Sequence, residues 1–194
     1  MAYFTKEEAR NVARAKQRNY KFSSFENILN EEIQRKNIKT NFDIFLSHSS
    51  KDAELVLGVV TILENFGYSV YVDWLVDTQL SRENVNRGTA EILRNRMKQS
   101  NSLLYLATSN SSESKWMPWE LGYFDGHKPE RIAILPVLDS ANSTFNGQEY
   151  LGIYPVVNKS TYTSGIADVF IFDGSTRWST LKRFTTGTPN WSNF

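Results

Sequence analysis

N-F-D-I-F-L-S-H-S-S-K-D-A-E-L-V-L-G-V-V-T-I-L-E-N-F-G, residues 41–67, carries the information that decides the fold. It opens with an apolar run, Phe42 to Ser47, that breaks into the polar cluster Ser47-His48-Ser49-Ser50-Lys51-Asp52. Ala53, Val56, Leu57, Val60 and Leu63 then recur at helical spacing, and Gly67 stands where a C-cap glycine is expected. A short strand, a tight polar loop and an amphipathic helix make one β–α unit.

Toward the C-terminus the unit repeats. Residues 69–73 (S-V-Y-V-D) read as a second strand, followed by a polar loop over 74–83 and a helix from about 84 to 99 marked by Ala90, Leu93 and Met97. Residues 103–107 form a third strand, apolar on both faces, and 108–115 a Ser-rich loop. The helix that follows carries W-M-P-W-E-L; Pro118 is tolerated in its first turn, and Gly126 and Pro129 close it. Residues 132–138 give a fourth strand, with Pro136 suggesting a bulge or an edge. Beyond a loop at 139–150 come a fifth strand at 154–157, an extra one at 169–172 before the Asp173-Gly174 turn, a helical turn or two at 179–184, and a loose polar tail.

Strand–helix alternation with strands apolar on both faces predicts an α/β fold with a parallel sheet covered by helices. The right-handed crossover rule makes it doubly wound and flavodoxin-like. Ligands of such sheets bind outside the carboxyl ends of the strands. That edge would gather 47–52, 73–83 and 108–120 into one crevice.

Residues 1–40 predict two short helices, capped by Thr5 with Glu8 and by Ser23 with Glu26. The second has an apolar face of Phe25, Ile28, Leu29 and Ile33; the first offers only Ala9, Val12 and Ala13. Arg10, Arg14, Lys16 and Arg18 read as a solvated face. The expected organisation is an N-terminal helical extension at 1–40, packed on the main domain or on another subunit, a domain at 41–185, and a tail at 186–194.

The 194 residues carry 22 basic and 21 acidic side chains, so charge gives no reason to expect nucleic acid or a membrane surface as partner. Cysteine is absent, which removes thiol nucleophiles, disulfides and zinc–thiolate sites; two histidines, His48 and His127, do not build a metal site alone. Residues 1–21 lack the apolar run of a signal peptide, and no stretch reaches the length of a membrane span. A cytoplasmic protein is the expectation.

The chemistry-bearing candidate is Glu120, four residues after Trp116 and so on the same helical face. An acid beside an aromatic ring makes a shielded pocket with one charge. The competing reading is that Trp116 and Trp119 are core residues and Glu120 a solvated charge.

Four segments resemble the bacterial TIR (Toll/interleukin-1 receptor) domain: F-D-I-F-L-S-H-S-S-K-D (42–52), G-Y-S-V-Y-V-D (67–73), S-L-L-Y-L-A-T-S-N-S (102–111) and S-K-W-M-P-W-E-L (114–121), the last matching the family's W-x-x-x-E-L helix. Two departures are visible. The second loop reads Leu80-Ser81-Arg82 where the family commonly has a Gly, and Pro118-Trp119 falls inside the W-x-x-x-E window and bears on where the helix starts.

The resemblance implies the TIR fold and, by analogy with enzymatic members, an NAD+ glycohydrolase or ADP-ribosyl cyclase with Glu120 as its catalytic residue. It assigns Ser47, His48, Ser49, Asp73, Trp74 and Trp116 to substrate binding, with NAD+ as substrate and neither cofactor nor metal. The chemistry is coherent. Cleaving the nicotinamide–ribose bond develops oxocarbenium character, which a carboxylate stabilises. The leaving group departs as neutral nicotinamide, so one carboxylate suffices.

Among bacterial members the chain resembles the sensor enzyme of Thoeris-type anti-phage defence. That implies a cyclic or conjugated ADP-ribose messenger acting on a separate effector protein, and self-association through TIR–TIR contacts that engage the 74–83 loop. Two alternatives remain at this level: a non-catalytic TIR adaptor, and a nucleoside deoxyribosyltransferase-like enzyme on a similar sheet.

Overall fold

The computed structural model describes residues 2–36, 40–72, 87–186 and 191–193. The alternation predicted from sequence forms β2 (Phe42–Ser47), α3 (Ala53–Asn65), β3 (Val70–Val72), α4 (Arg87–Lys98), β4 (Ser100–Ala107), α5 (Trp116–Asp125), β5 (Ile132–Leu138) and β6 (Val156–Thr161). These follow β1 (Phe4–Thr5), α1 (Lys6–Asn19) and α2 (Phe25–Lys36), and precede β7 (Ala167–Asp173), β8 (Arg177–Thr180), α6 (Leu181–Thr186) and β9 (Ser192–Asn193).

The sheet runs β3-β2-β4-β5-β6-β7-β8-β9. Its first five strands are parallel, in the flavodoxin-like order expected. Strands β7, β8 and β9 continue it antiparallel, an extension that the sequence showed only as one extra strand and a turn. The tail expected to be loose is tied at its end: Trp178 of β8 pairs with Ser192, and Trp191 packs on Phe184 at 6.5 Å between ring centres and under the Arg177 guanidinium at 5.1 Å. Residues 179–180 finish β8 rather than begin the helix.

Pleating divides the apolar side chains between two cores. Ile44, Leu46, Leu104, Leu106, Leu135 and Val137 face α1, α2, α3 and α6. Phe45, Leu103, Tyr105, Ile132 and Ile134 face α4 and α5. Pro136 is an interior position of β5, not an edge. Pairing with β6 is at Ile134 and pairing with β1 begins at Val137, so the absent N–H falls where one partner gives way to the next.

The N-terminal segment contributes more than two helices. Phe4 and Thr5 pair in parallel with Val137 and Leu138, and Ala2 bridges to Lys159. Helix α1 lies so close to α3 that a Cβ on Gly58 would sit 2.0 Å from the Ala9 carbonyl oxygen, which explains why its buried face is Ala9 and Ala13. Arg10 and Arg14 both reach Glu54 of α3, and Lys16 reaches Glu32 and Glu64, so part of the expected solvated face consists of ion pairs to neighbouring helices. Thr5 caps α1 through the Glu8 N–H. The cap of α2 is Ser24, which accepts from the Asn27 N–H at 3.2 Å, and not Ser23. Among the described residues, no helix is long and apolar enough to cross a membrane.

Candidate active site

The site begins with a register. Ser47 ends β2, and its side chain follows Phe45 onto the α4/α5 face. There it meets Glu120, which lies on the buried stripe of α5 with Trp116, Met117, Leu121 and Phe124. The Ser47 hydroxyl donates to Glu120 Oε2 at 2.5 Å. Both residues are about 1 % exposed, so Glu120 is not the solvated charge of the competing reading. A short bond from a hydroxyl to a carboxylate is charge-assisted and fixes the acceptor's orientation.

Helix α5 starts at Trp116, where the W-x-x-x-E pattern puts it, with Pro118 in the first turn. Trp116 is almost fully buried and meets Trp119 edge to face at 5.4 Å. Trp119 stacks on Tyr123, and the Arg94 guanidinium of α4 covers both rings at 5.4 and 5.9 Å. This aromatic ladder clamps α5 against α4 and holds the Glu120 backbone in place.

His48 and Ser49 are buried in the loop after β2. His48 Nδ1 lies 2.9 Å from the Leu46 carbonyl, which only accepts, so Nδ1 carries the proton. Ser49 accepts from the Lys51 N–H and caps a short turn. Asp73 and Trp74, and the 74–83 loop, lie outside the described residues.

Two residues that sequence reasoning did not single out complete the arrangement. Asp52, 5 % exposed, accepts from the Thr108 hydroxyl and from the Asn110 amide, each at 2.6 Å. It binds the loop after β2 to the loop after β4, and Lys51 adds an ion pair to Glu113. Asp52 directly precedes α3 but makes no side-chain cap on it, and only its partners after β4 show it as a bridge. The second is Tyr105, opposite Ser47 in the β2–β4 ladder. Burial pushes its phenol up, with Tyr150 and the Glu120 carboxylate adding to the effect, so it remains a neutral hydroxyl beside the acid. Among the described residues, no group of three or more His, Asp or Glu is arranged to hold a metal ion.

Three comparisons bear on this arrangement. The sequence pattern of the TIR domain family matches residues 44–161. The chain is 48 % identical, over 83 % of its own length and 86 % of the relative's, to a probable 3′ cyclic ADP-D-ribose synthase, ThsB′, of Bacillus cereus. It is 34 % identical over 50 % of its length to a putative cyclic ADP-D-ribose synthase, TIR2, of Cytobacillus dafuensis, covering 25 % of that protein. A solved TIR domain of the Toll-related receptor TRR-2 from Hydra magnipapillata superposes with a TM-score of 0.42 at 20 % identity, over 57 % of this chain and 78 % of that one. With the pattern matched across more than half its length and the first of these relatives so similar, this chain belongs to the TIR domain family.

Proposed function

We propose that this protein is an NAD+-consuming ADP-ribosyl cyclase of Thoeris-type anti-phage defence, with Glu120 as its catalytic residue. One observation carries the assignment of the site: a buried carboxylate, bonded to Ser47 at 2.5 Å, at the carboxyl edge of the sheet. The similarity to a probable 3′ cyclic ADP-D-ribose synthase supports the reaction class.

In this reading the bond between nicotinamide and ribose C1″ breaks, and its electron pair leaves on nicotinamide. The Glu120 carboxylate stabilises the cationic sugar; the Ser47 hydroxyl keeps that carboxylate aimed. A hydroxyl of the same molecule's adenosine ribose then attacks C1″ and releases its proton, closing the ring. The relative's name points to the 3′ oxygen. Water in place of that hydroxyl would give ADP-ribose. Trp116, His48 and Ser49 wall the ribose and shape the loop, and Asp73 and Trp74 complete the substrate contacts. The product acts as a diffusible messenger on a separate effector in the cytoplasm. Copies of the chain associate through TIR–TIR contacts, so activity per chain rises with concentration.

The test is NAD+ consumption with mass spectrometry of the product, on wild type and Glu120→Gln. A product one water lighter than ADP-ribose, formed by wild type and lost in Glu120→Gln, supports the reading. Full activity in Glu120→Gln, or ADP-ribose as sole product, overturns it.

A further inference from the structure

The sheet's carboxyl edge holds a cavity of about 410 Å³ that the chemistry at Glu120 does not use. It opens between the ends of β4 and β5, with Ala107 and Val137 at its floor. The other described cavities lie elsewhere: one by Asp43 and Ser69 and one by Asn101 and Arg131, both at the amino end of strands, and one on the antiparallel extension at Phe170 and Trp178.

Three features define what fits. First, the volume is that of a small-molecule site. Second, its charge is balanced. Its charged lining residues are Lys6 and Asp139, which pair with each other at 3.1 Å. That suits a neutral group better than a bare phosphate. Third, one wall is aromatic and the rim is made of hydroxyls and amides. Phe145 folds back so that a Cβ on Gly147 would sit 2.5 Å from its ring, and Leu151 lies beside it. Thr108, Ser111 and Asn146 supply the polar rim. An aromatic wall with a neutral polar rim matches a nucleobase and its ribose.

The cavity also shares a wall with the site. Thr108 lines it and donates to Asp52, at the end of the loop that carries Ser47. Ser47 lies opposite Tyr105 on β4, and Ala107 at the cavity lies two residues further along β4, so the cavity begins about 8 Å from Ser47, the partner of the acid.

We infer that this cavity, walled by Phe145 and rimmed by Thr108, Ser111 and Asn146, binds the adenosine half of the substrate and so favours ring closure over hydrolysis. The inference rests on the cyclase reading above. Held there, the adenosine ribose presents its hydroxyl to C1″ at high effective concentration. With the adenosine unanchored, water attacks instead and ADP-ribose forms.

The test uses the 194-residue chain. Phe145→Ala removes the wall, Ser109→Trp fills the cavity from the β4–α5 loop, and Phe145→Tyr restores an aromatic ring. Binding is read by ligand-observed NMR on the Glu120→Gln background, with AMP and nicotinamide mononucleotide as probes. AMP affinity is expected to fall about ten- to a hundredfold in Phe145→Ala and Ser109→Trp, to return in Phe145→Tyr, and nicotinamide mononucleotide affinity to stay unchanged. With Glu120 intact, the first two variants are expected to shift product from cyclic to linear ADP-ribose. AMP binding that ignores both variants, or an unaltered product ratio, overturns the inference. Variant-sensitive AMP binding by a protein that never consumes NAD+ supports the cavity and overturns the cyclase reading instead.

Discussion

Ser47 and Glu120 show how much depends on one hydrogen bond. A buried carboxylate deprived of its donor costs about 1–3 kcal/mol. Ser47→Ala is therefore expected to lower thermal stability and to slow NAD+ consumption by roughly tenfold or more, since each 1.4 kcal/mol of lost transition-state stabilisation is a factor of about ten. Ser47→Thr keeps the hydroxyl and is expected to retain more activity; steady-state kinetics on the pair checks both. Asp52 makes a second, separable case. In Asp52→Asn an amide N–H₂ must face either the Thr108 hydroxyl or the Asn110 amide, both of which now donate to the carboxylate. The expected loss of about 1–3 kcal/mol would lower Tm by about 2–4 °C per kcal/mol in a chain of this size. Calorimetry reads it directly.

At the scale of elements, the seat of α1 on α3 is set by small residues. Gly58→Ala would drive a methyl group into the Ala9 backbone, which has no flexible end to yield. The helices must separate, at a cost of at least about 1–3 kcal/mol of overpacking, seen as a lower denaturant midpoint. The start of α2 gives a finer comparison. Ser24→Ala removes the cap and is expected to cost about 1 kcal/mol, whereas Ser23→Ala is expected to stay within about 0.5 kcal/mol of wild type. Equal losses would return the cap to Ser23. Helix α5 is held by the Trp116–Trp119–Tyr123 ladder and Arg94, with the Ser114 hydroxyl accepting from the Met117 N–H of its first turn.

Across the whole molecule, buried phenols make stability sensitive to alkali. Burial pushes Tyr20 from 10.0 to about 12, helped by its hydrogen bond to Glu32, and burial also pushes Tyr68 and Tyr105 up. A phenol whose pKa is higher folded than unfolded contributes stability that is complete below the unfolded value. That stability is lost as pH rises through the folded value. Tm is thus expected to be insensitive to these tyrosines below about pH 10 and to fall above it. Unfolding should coincide with a rise in phenolate absorbance, followed by ultraviolet spectroscopy during alkaline titration. The sheet also closes the chain on itself. β1 pairs with β5, Ala2 bridges to Lys159 of β6, and β9 pairs with β8, so the first and last described segments are tied to strands.

The sequence by itself determined the order of strands and helices from residue 42 to 138, the two-faced burial of the sheet, and the face that Trp116 shares with Glu120. All of these are written in periodicities of two and 3.6 within a dozen residues, and local backbone geometry reads them directly. Only the tertiary structure decided that Asp52 bridges the loops after β2 and β4, that Ser24 and not Ser23 caps α2, that Pro136 is an interior position, and that residues 4–5 and 192–193 join the sheet. It alone brought Ser47 within 2.5 Å of Glu120, 73 residues away in the chain. The physical reason is the same in each case. Two- and three-residue strands and long-range hydrogen bonds carry no periodic signal of their own, and become favourable only when a partner distant in sequence has already been fixed in place.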